Sequence, residues 1–335
     1  MIKIFQLFPR KHLFLILFLS FIVSIILTSA IPIYGIQIDS QVKEVVAFIF
    51  IPNPDPQHKD EPIPYGTGFF ISIKDNKDPK KLFCYFVTAK HVLQKEDQKT
   101  WLSEILVRMN KNDNTSEYIS VILFPDGDKK NIFTLEDPTV DLAVLHAHPD
   151  VEKYKFKVLP EDYLTTKEDF QKLQIKEGTD VFFTGLFTRH YGQERNYPIV
   201  RYGRVALITD EKVFIDKNTK ADLYLIEANA YGGNSGSPVF FFLGSDRVPG
   251  GIIAGPPIIK LAGVISLHFN ETIPVEFIAV PKNKKETTST DANITTVPIV
   301  TPNIGIAGVV PAYKLQEILF GKELTEKRNA VIQHN

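Results

Sequence analysis

Short apolar runs separated by clusters of polar turn residues make up most of this chain. The runs are rich in Val, Ile, Phe and Tyr, and the clusters between them in Pro, Gly, Asp, Asn and Lys. Runs of this length bounded by turn residues are typical of β-strands. The pattern predicts strands at Val45–Ile51, 66–71, Leu82–Thr88, Glu104–Arg108, Ser120–Phe124, Asn131–Thr134, 141–146, 178–185, 201–205, 222–228, 237–243, 261–269 and 308–311. So many short strands indicate an all-β fold of the barrel type.

Helical spacing is confined to two places after residue 159. Residues 160–177 are polar and charged, with some helical spacing, and are predicted to connect two halves of the fold. Pro311 is a favourable helix start, and apolar residues then recur at helical spacing, which predicts a C-terminal helix over 312–320. Residues 281–303 are rich in Lys, Thr, Asn and Pro and are predicted to form a surface loop. Residues 323–335 are predicted to be a tail.

The first 38 residues have a different pattern. Three basic residues and no acid occur in residues 1–11, and no charged residue follows from Leu13 until Asp39. A cleaved signal peptide has a basic start, an apolar stretch and a small-residue site, and a retained anchor needs a run long enough to span a bilayer. Apolar residues continue past Ala30, which slightly favours the anchor. Either alternative predicts that the rest of the chain lies outside the cytoplasm, attached to or released from the membrane.

Composition narrows the possible functions. The chain has 335 residues, of which 44% are hydrophobic and 23% charged, enough for one large or two small globular units. A formal net charge of −1 gives no electrostatic case for a nucleic-acid partner. Cys84 is the single cysteine, so no internal disulfide can form. Its position within an apolar run predicts a buried strand residue.

Three short motifs carry candidate chemistry. They read Phe-Val-Thr-Ala-Lys-His-Val at 86–92, Val-Asp-Leu-Ala-Val-Leu at 140–145 and Gly-Gly-Asn-Ser-Gly-Ser-Pro at 232–238. A serine hydroxyl needs a neighbouring base to become a nucleophile. It also needs backbone N–H groups directed at the oxyanion that forms on the attacked carbonyl. Ser235 lies among glycines that allow such a turn.

In this order, the three motifs resemble the signatures of chymotrypsin/trypsin-like serine peptidases. There one strand ends in Thr-Ala-x-His, a second carries Asp-(Ile/Leu)-Ala-(Leu/Val)-Leu, and the nucleophile lies in Gly-(Asp/Asn)-Ser-Gly-(Gly/Ser)-Pro. The order His91, Asp141, Ser235 is that of this family, whereas alpha/beta-hydrolases run serine, acid, histidine. The resemblance extends from about residue 40 to 322. It points to the bacterial branch, Deg/HtrA-like or glutamyl-endopeptidase-like, without a PDZ domain.

The resemblance implies a fold and a set of roles. The fold would be two antiparallel six-stranded β-barrels, about 40–160 and about 176–311, followed by the C-terminal helix and preceded by the N-terminal membrane or signal helix. His91 would be the general base, Asp141 would orient it, and Ser235 would be the nucleophile. The oxyanion hole would consist of the backbone N–H groups of Gly233 and Ser235. Asn234 would contribute only its backbone and turn geometry.

The substrate pocket follows from the same resemblance. Asn229, six residues before the serine, would form its base, and Ser266, Leu267 and His268 would line its wall. Asn229 is neutral, so strong selection for basic substrate side chains is not expected. His268 is either a residue that favours acidic side chains or simply an exposed histidine.

The sequence therefore predicts a serine endopeptidase, exported or membrane-tethered, that acts on proteins or peptides through an acyl-enzyme. No cofactor and no metal are expected, because the His146-x-His148 pair supplies too few ligands. The alternative function is a binding or scaffold protein that keeps the peptidase fold without turnover.

Overall fold

The computed structural model describes residues 40–75, 77–78, 80–125, 127, 131–244, 257–270, 273–274, 299–300 and 302–333. The chain divides into two units, Met1–Asp39 and Ser40–Asn335. The predicted signal or anchor segment lies outside the described residues. Within the described part, no helix has the length and apolar character needed to cross a membrane.

The first half of the described chain is one β-sheet. It begins with a short helix, α1 (Gln41–Glu44), and a turn of 3₁₀-helix, Lys90–Leu93, follows its third strand. The strands lie in the order β5-β4-β1-β2-β3-β6 with antiparallel neighbours, and β7 pairs in parallel with β2. Their bounds are β1 Val46–Ile51, β2 Ile63–Lys74, β3 Leu82–Thr88, β4 Glu104–Asn110, β5 Ser116–Ile122, β6 Ala143–His146 and β7 Leu159–Pro160.

The first sheet is open, so the prediction of a closed six-stranded barrel is wrong for this half. The predicted strand Asn131–Thr134 forms one isolated bridge, between Phe133 and Val144. Pro138 has no N–H to offer a partner strand. A turn in which Asp137 accepts hydrogen bonds from the N–H and hydroxyl of Thr139 then leads the chain away. Among the described residues, β5 is therefore an edge of the sheet, and β6 meets the predicted strand at this one bridge.

The second half contains the closed barrel that the sequence predicts. Six antiparallel strands close in the order β12-β17-β14-β13-β8-β9. Their bounds are β8 Asp180–Gly185, β9 Ile199–Leu207, β12 Tyr224–Glu227, β13 Pro238–Leu243, β14 Ile258–Asn270 and β17 Asn303–Pro311. Short strand pairs lie outside the barrel, at β10 Val213–Phe214 with β11 Lys220–Ala221 and at β15 Ile273–Pro274 with β16 Ile299–Val300. Each half has its own apolar core.

Three further helices complete the fold. Helix α2 (Lys167–Lys172) begins with a capping box between Thr166 and Asp169 and lies in the predicted connection. Helix α3 (Ala312–Leu319) forms where the sequence predicts the C-terminal helix. The residues predicted to be a tail are mostly helical, in α4 (Lys322–Gln333).

Helix α4 is anchored by one charged residue. The Arg328 guanidinium donates to the Tyr85 hydroxyl at 3.0 Å and to the Leu319 carbonyl at 2.8 Å. Leu324 is also buried. This attachment gives a polar segment a fixed place against the first sheet, which its sequence pattern does not indicate.

Candidate active site

His91 lies on the turn that follows strand β3. The 3₁₀ turn Lys90–Leu93 is anchored from below, because Ala89, Val92 and Leu93 are buried in the first core. The histidine side chain is left partly exposed at the end of the sheet, with 28% of its surface accessible. The buried apolar neighbours of His91 therefore fix the backbone that carries its imidazole.

Asp141 holds His91 at two points. Its Oδ2 accepts a hydrogen bond from the His91 ring Nδ1 at 2.6 Å, and its Oδ1 accepts from the His91 backbone N–H at 2.8 Å. Asp141 precedes β6, which pairs with β3 through Thr88 and Ala143. The neighbouring strands therefore deliver both residues to the same edge. A carboxylate on Nδ1 leaves Nε2 as the proton acceptor of the neutral ring.

Ser266 brings the second half of the chain to this pair. Its hydroxyl donates to Asp141 Oδ2 at 2.6 Å, and the residue is only 5% exposed. Ser266 lies at a register shift in the pairing of β14 with β17, between Ile265 and Leu267. A bulge of this kind redirects one side chain out of the normal alternation. The predicted pocket residue thus also supports the carboxylate.

Burial and charge act in opposite directions on the two ionisable groups. Burial alone lowers the pKa of His91, but the charge and hydrogen bond of Asp141 outweigh it and the pKa is raised above its ordinary value. Burial likewise raises the pKa of Asp141, but the His91 charge and the bonds from His91 and Ser266 hold that pKa well below its usual range. Asp141 is therefore ionised at neutral pH.

This arrangement predicts the pH dependence of activity. Only the neutral imidazole accepts a proton, so kcat/KM is expected to fall as pH drops through a His91 pKa above 6.5. In Asp141→Asn the negative charge that raises the His91 pKa is gone, while the burial that lowers this pKa remains. The fall of kcat/KM on the acid side of the pH profile (the acid limb) should therefore move to lower pH. The plateau of kcat/KM should fall roughly 10⁴-fold, because the ring loses its required tautomer. A limb that stays in place in Asp141→Asn would show that Asp141 does not set the His91 pKa.

Ser235 lies on the loop between β12 and β13, here called the nucleophile loop (residues 228–237). Its hydroxyl donates to the Ser266 carbonyl at 3.5 Å, the limit of a hydrogen bond. Among the described residues the structure records no hydrogen bond between Ser235 and the His91 ring. Strand β2 packs beside both segments, since a Cβ on Gly66 would be 2.6 Å from Val92 Cγ1 and 3.4 Å from the Ser235 carbonyl oxygen.

The nucleophile loop presses closely on the first sheet at Gly236. Its φ is +86°, and a Cβ there would lie 2.0 Å from the Thr67 carbonyl oxygen and 2.3 Å from Thr88 Oγ1. Only glycine combines this φ with so close an approach. The motif glycine after Ser235 thus allows the two halves of the fold to meet beneath the serine.

The N–H groups assigned to the oxyanion hole are available. Within residues 233–237, the N–H groups of Asn234, Gly236 and Ser237 donate to backbone carbonyls. In the described part of the chain, those of Gly233 and Ser235 have no protein acceptor. An oxyanion hole needs free donors of this kind. The assignment of Gly233 and Ser235 remains a prediction that this geometry permits.

Thr67 fastens the nucleophile loop to strand β2, a function that the sequence did not reveal. Its hydroxyl donates to the Gly233 carbonyl at 2.7 Å and accepts the Leu186 N–H at 2.9 Å. Its own N–H donates to the Ser235 carbonyl at 2.9 Å. One feature of the sequence could have indicated this role. Thr67 is a polar residue between two glycines, Gly66 and Gly68, in a strand that is otherwise apolar and buried.

The Asn234 side chain also orders the loop, contrary to the expectation that only its backbone matters. Asn234 is 2% exposed. Its Oδ1 accepts the Tyr231 N–H at 2.8 Å, and its Nδ2 donates to the Leu186 carbonyl at 2.7 Å. The loop is therefore ordered by hydrogen bonds within the chain.

Asn234→Ala is expected to lower the free energy of unfolding by about 1–3 kcal/mol, because it leaves buried backbone groups without partners. Loss of loop order should lower kcat/KM by up to about 10². Thermal unfolding and initial rates measure the two effects. Asn218→Ala, in an exposed turn, is the matched control and should change neither. An Asn234→Ala protein equal to the parent in both would contradict the ordering role.

Strand β17 lies beside both parts of the predicted substrate pocket. Segment 228–230 runs beside the start of β17, where the Ala228 N–H donates to the Gly305 carbonyl at 2.8 Å. A Cβ on Gly305 would lie 3.6 Å from Asn229 Oδ1. Strand β17 in turn pairs with Leu267 and His268. Asn229 and the Ser266–His268 wall thus share β17 as a neighbour.

Two other reactive side chains have strongly shifted pKa values. Burial raises the pKa of the Cys84 thiol to about 12, so it is not a thiolate at neutral pH. Burial, with nearby positive charge, lowers the pKa of His146 to about 4. Burial also lowers the pKa of His268, so its ring is neutral at neutral pH. Within the described residues, no three potential ligands cluster to hold a metal.

Comparison with known proteins identifies the family of this chain. The family model of the trypsin-like peptidase domain matches residues 66–244, more than half of the chain. The chain belongs to the trypsin-like peptidases. The matched segment includes all three motifs. The crystal structure of Deg5 is similar, with 21% identity over 68% of this chain and 81% of that chain at a TM-score of 0.38. No curated protein matches this trypsin-like peptidase.

Proposed function

We propose that this trypsin-like peptidase is an active serine endopeptidase in which His91, Asp141 and Ser235 form the catalytic triad. The observation that carries the proposal is the double hydrogen bond of Asp141 to the ring and backbone of His91. It supports one tautomer and one orientation of the imidazole, with Nε2 left as a base. The loop that presents Ser235 is ordered on the same edge of the fold by Thr67 and Asn234.

Acylation would begin when the Ser235 hydroxyl leaves its long bond to the Ser266 carbonyl and donates to His91 Nε2. Ser235 Oγ then attacks the carbonyl carbon of the scissile bond, and its proton passes to His91. The carbonyl oxygen becomes an oxyanion that the N–H groups of Gly233 and Ser235 stabilise. His91 next gives the proton to the leaving nitrogen, the C–N bond breaks, and the acyl group stays on Ser235.

Deacylation would repeat these steps with water. His91 takes a proton from water as the water oxygen attacks the acyl carbonyl. The ester bond to Ser235 then breaks and the proton returns to Oγ, which regenerates the hydroxyl and releases a carboxylic acid. Asp141 remains ionised throughout and stabilises the imidazolium at each step.

Peptides would bind beside strand β14, with Asn229 and the Ser266–His268 wall as the pocket. Asn229 is neutral and exposed, and the pKa of His268 is lowered by burial. The described pocket residues therefore offer no fixed charge, and uncharged or weakly polar substrate side chains fit them best.

The peptidase unit would lie outside the cytoplasm, exported or tethered by residues 1–38. The support is the basic start and the uncharged run from Leu13 to Ile38. Protease added to intact cells or spheroplasts should digest residues 40–335, and shielding of that segment in the cytoplasm would contradict the proposal. Sequencing of the mature N-terminus distinguishes an anchor from a cleaved signal.

The activity itself is tested with unfolded casein. The protein should generate new N-termini inside the substrate chains, as an endopeptidase does, and hydrolysis should rise with pH through the acid limb described above. If casein and a panel of peptides stay intact while the protein binds them, the non-catalytic scaffold alternative replaces the proposed function.

A further inference from the structure

Arg108 on strand β4 is a buried cation that has no carboxylate partner among the described residues. It is 3% exposed. Its Nη1 donates to the Gly192 carbonyl at 2.8 Å and its Nη2 to the Gln193 carbonyl at 2.5 Å. The guanidinium also lies over the Tyr118 and Tyr191 rings, at 5.8 and 5.5 Å from their centroids. A buried charge is costly unless it is bonded, and here one loop supplies both acceptors.

The loop in question joins β8 to β9, residues 186–198, and is here called the strap loop. Besides Arg108, it is fixed to β4 by a reciprocal amide pair. The Asn196 N–H donates to Asn110 Oδ1 at 2.6 Å, and Asn110 Nδ2 donates back to the Asn196 carbonyl at 3.2 Å. Asn196 Nδ2 also donates to the Arg108 carbonyl at 2.7 Å. Gly192 makes the bend, with φ +95° and a Cβ position only 2.0 Å from the Arg195 carbonyl oxygen.

The other end of the strap loop touches the nucleophile loop. The Leu186 carbonyl accepts the Asn234 side-chain amide at 2.7 Å. A Cβ on Gly233 would lie 2.7 Å from Thr188 Cγ2. These contacts reach the two residues immediately before Ser235, whose backbone shapes the predicted oxyanion hole.

We propose that the strap loop positions the nucleophile loop, and that Arg108 is the positioning residue that holds the strap loop in place. The planar fork of one guanidinium bonds two successive carbonyls, which a single ammonium cannot do with the same geometry. Without this clamp, residues 187–198 lose the support that Arg108 gives them, and the contact of Thr188 with Gly233 loosens, although Leu186 keeps its bond to Thr67. The kinetic consequence rests on the proposed function, whereas the physical coupling does not.

Hydrogen–deuterium exchange of the full-length Arg108→Met protein tests the coupling without reference to activity. Methionine retains apolar volume and leaves no buried charge. Exchange should become roughly tenfold faster or more in residues 187–198 and also in 229–236. Lys153→Met is the matched control, because Lys153 pairs with Glu117 on the same sheet and stacks on Tyr154. That variant should leave exchange in 229–236 unchanged.

Kinetics add a second readout. In Arg108→Met, kcat should fall about 10- to 100-fold while KM changes less than about threefold, since the pocket is untouched and the oxyanion donors are displaced. Arg108→Lys keeps the cation and loses the fork, so its effects on exchange and kcat should be intermediate. It also serves as the test variant if Arg108→Met fails to fold.

Unchanged exchange in 229–236 overturns the proposal, whether or not residues 187–198 loosen. An equal loss in kcat and gain in KM would also contradict it, because that result indicates a disturbed pocket. If the parent protein shows no hydrolysis, the proposed function fails and the exchange measurement still decides the role of Arg108.

Discussion

Replacement of Ser235 by alanine is expected to lower kcat for peptide hydrolysis on the order of 10⁶-fold. The change removes the oxygen that forms the acyl-enzyme, and no neighbouring side chain replaces it. The folded state should be little affected, because within the described part of the chain the hydroxyl makes only the 3.5 Å bond to the Ser266 carbonyl. Initial rates on casein and the melting temperature measure the two quantities.

Ser237→Ala is the matched control for this result. Ser237 is buried two residues later, and its hydroxyl has no hydrogen-bond partner among the described residues. Its removal should leave the rate within a few-fold of the parent. A Ser235→Ala protein that melts like the parent and cleaves at a comparable rate would show that the mechanism is wrong.

His91→Ala should lower kcat by a similar factor, on the order of 10⁶. Ser235 and His91 act in one proton-transfer step, so neither is effective without the other. The double variant Ser235→Ala/His91→Ala should therefore be no slower than either single variant, and the comparison of all three rates measures this coupling.

His58→Ala provides the control for loss of a histidine, since His58 lies exposed in the proline-rich loop after β1. It should retain the parental rate. Additive losses in the double variant would indicate that His91 and Ser235 contribute separately, which contradicts a shared triad.

The contact between His91 and Asp141 could be predicted because their two motifs resemble those of the trypsin-like peptidases. His91 follows a strand that ends in Thr-Ala, and Asp141 precedes an apolar run, so the two strand ends carry the residues. Thr67 and Ser266 were not assigned their supporting contacts. Their partners Gly233 and Asp141 are 166 and 125 residues away, and no local pattern encodes such pairs.

The fold, too, could be predicted only in part from the sequence. The family and the closed second barrel are confirmed, because six strands alternate there with clear turns. The first sheet stays open because Asn131–Thr134 has an apolar pattern but finds only one bridge. Helix α4 was predicted as a tail because its surface is polar, and it is attached through buried Leu324 and Arg328. The spacing of apolar residues predicts which segments form strands and helices. It does not predict which strand edges pair with each other.

Reaction with a fluorophosphonate probe tests the central claim most directly. A serine activated by a histidine base attacks phosphorus, whereas an ordinary surface serine does not. We expect one labelled peptide, modified at Ser235, with labelling lost in His91→Ala and slowed as pH falls through the raised His91 pKa. A parent protein that stays unlabelled while folded, or that is labelled on a residue other than Ser235, would contradict it.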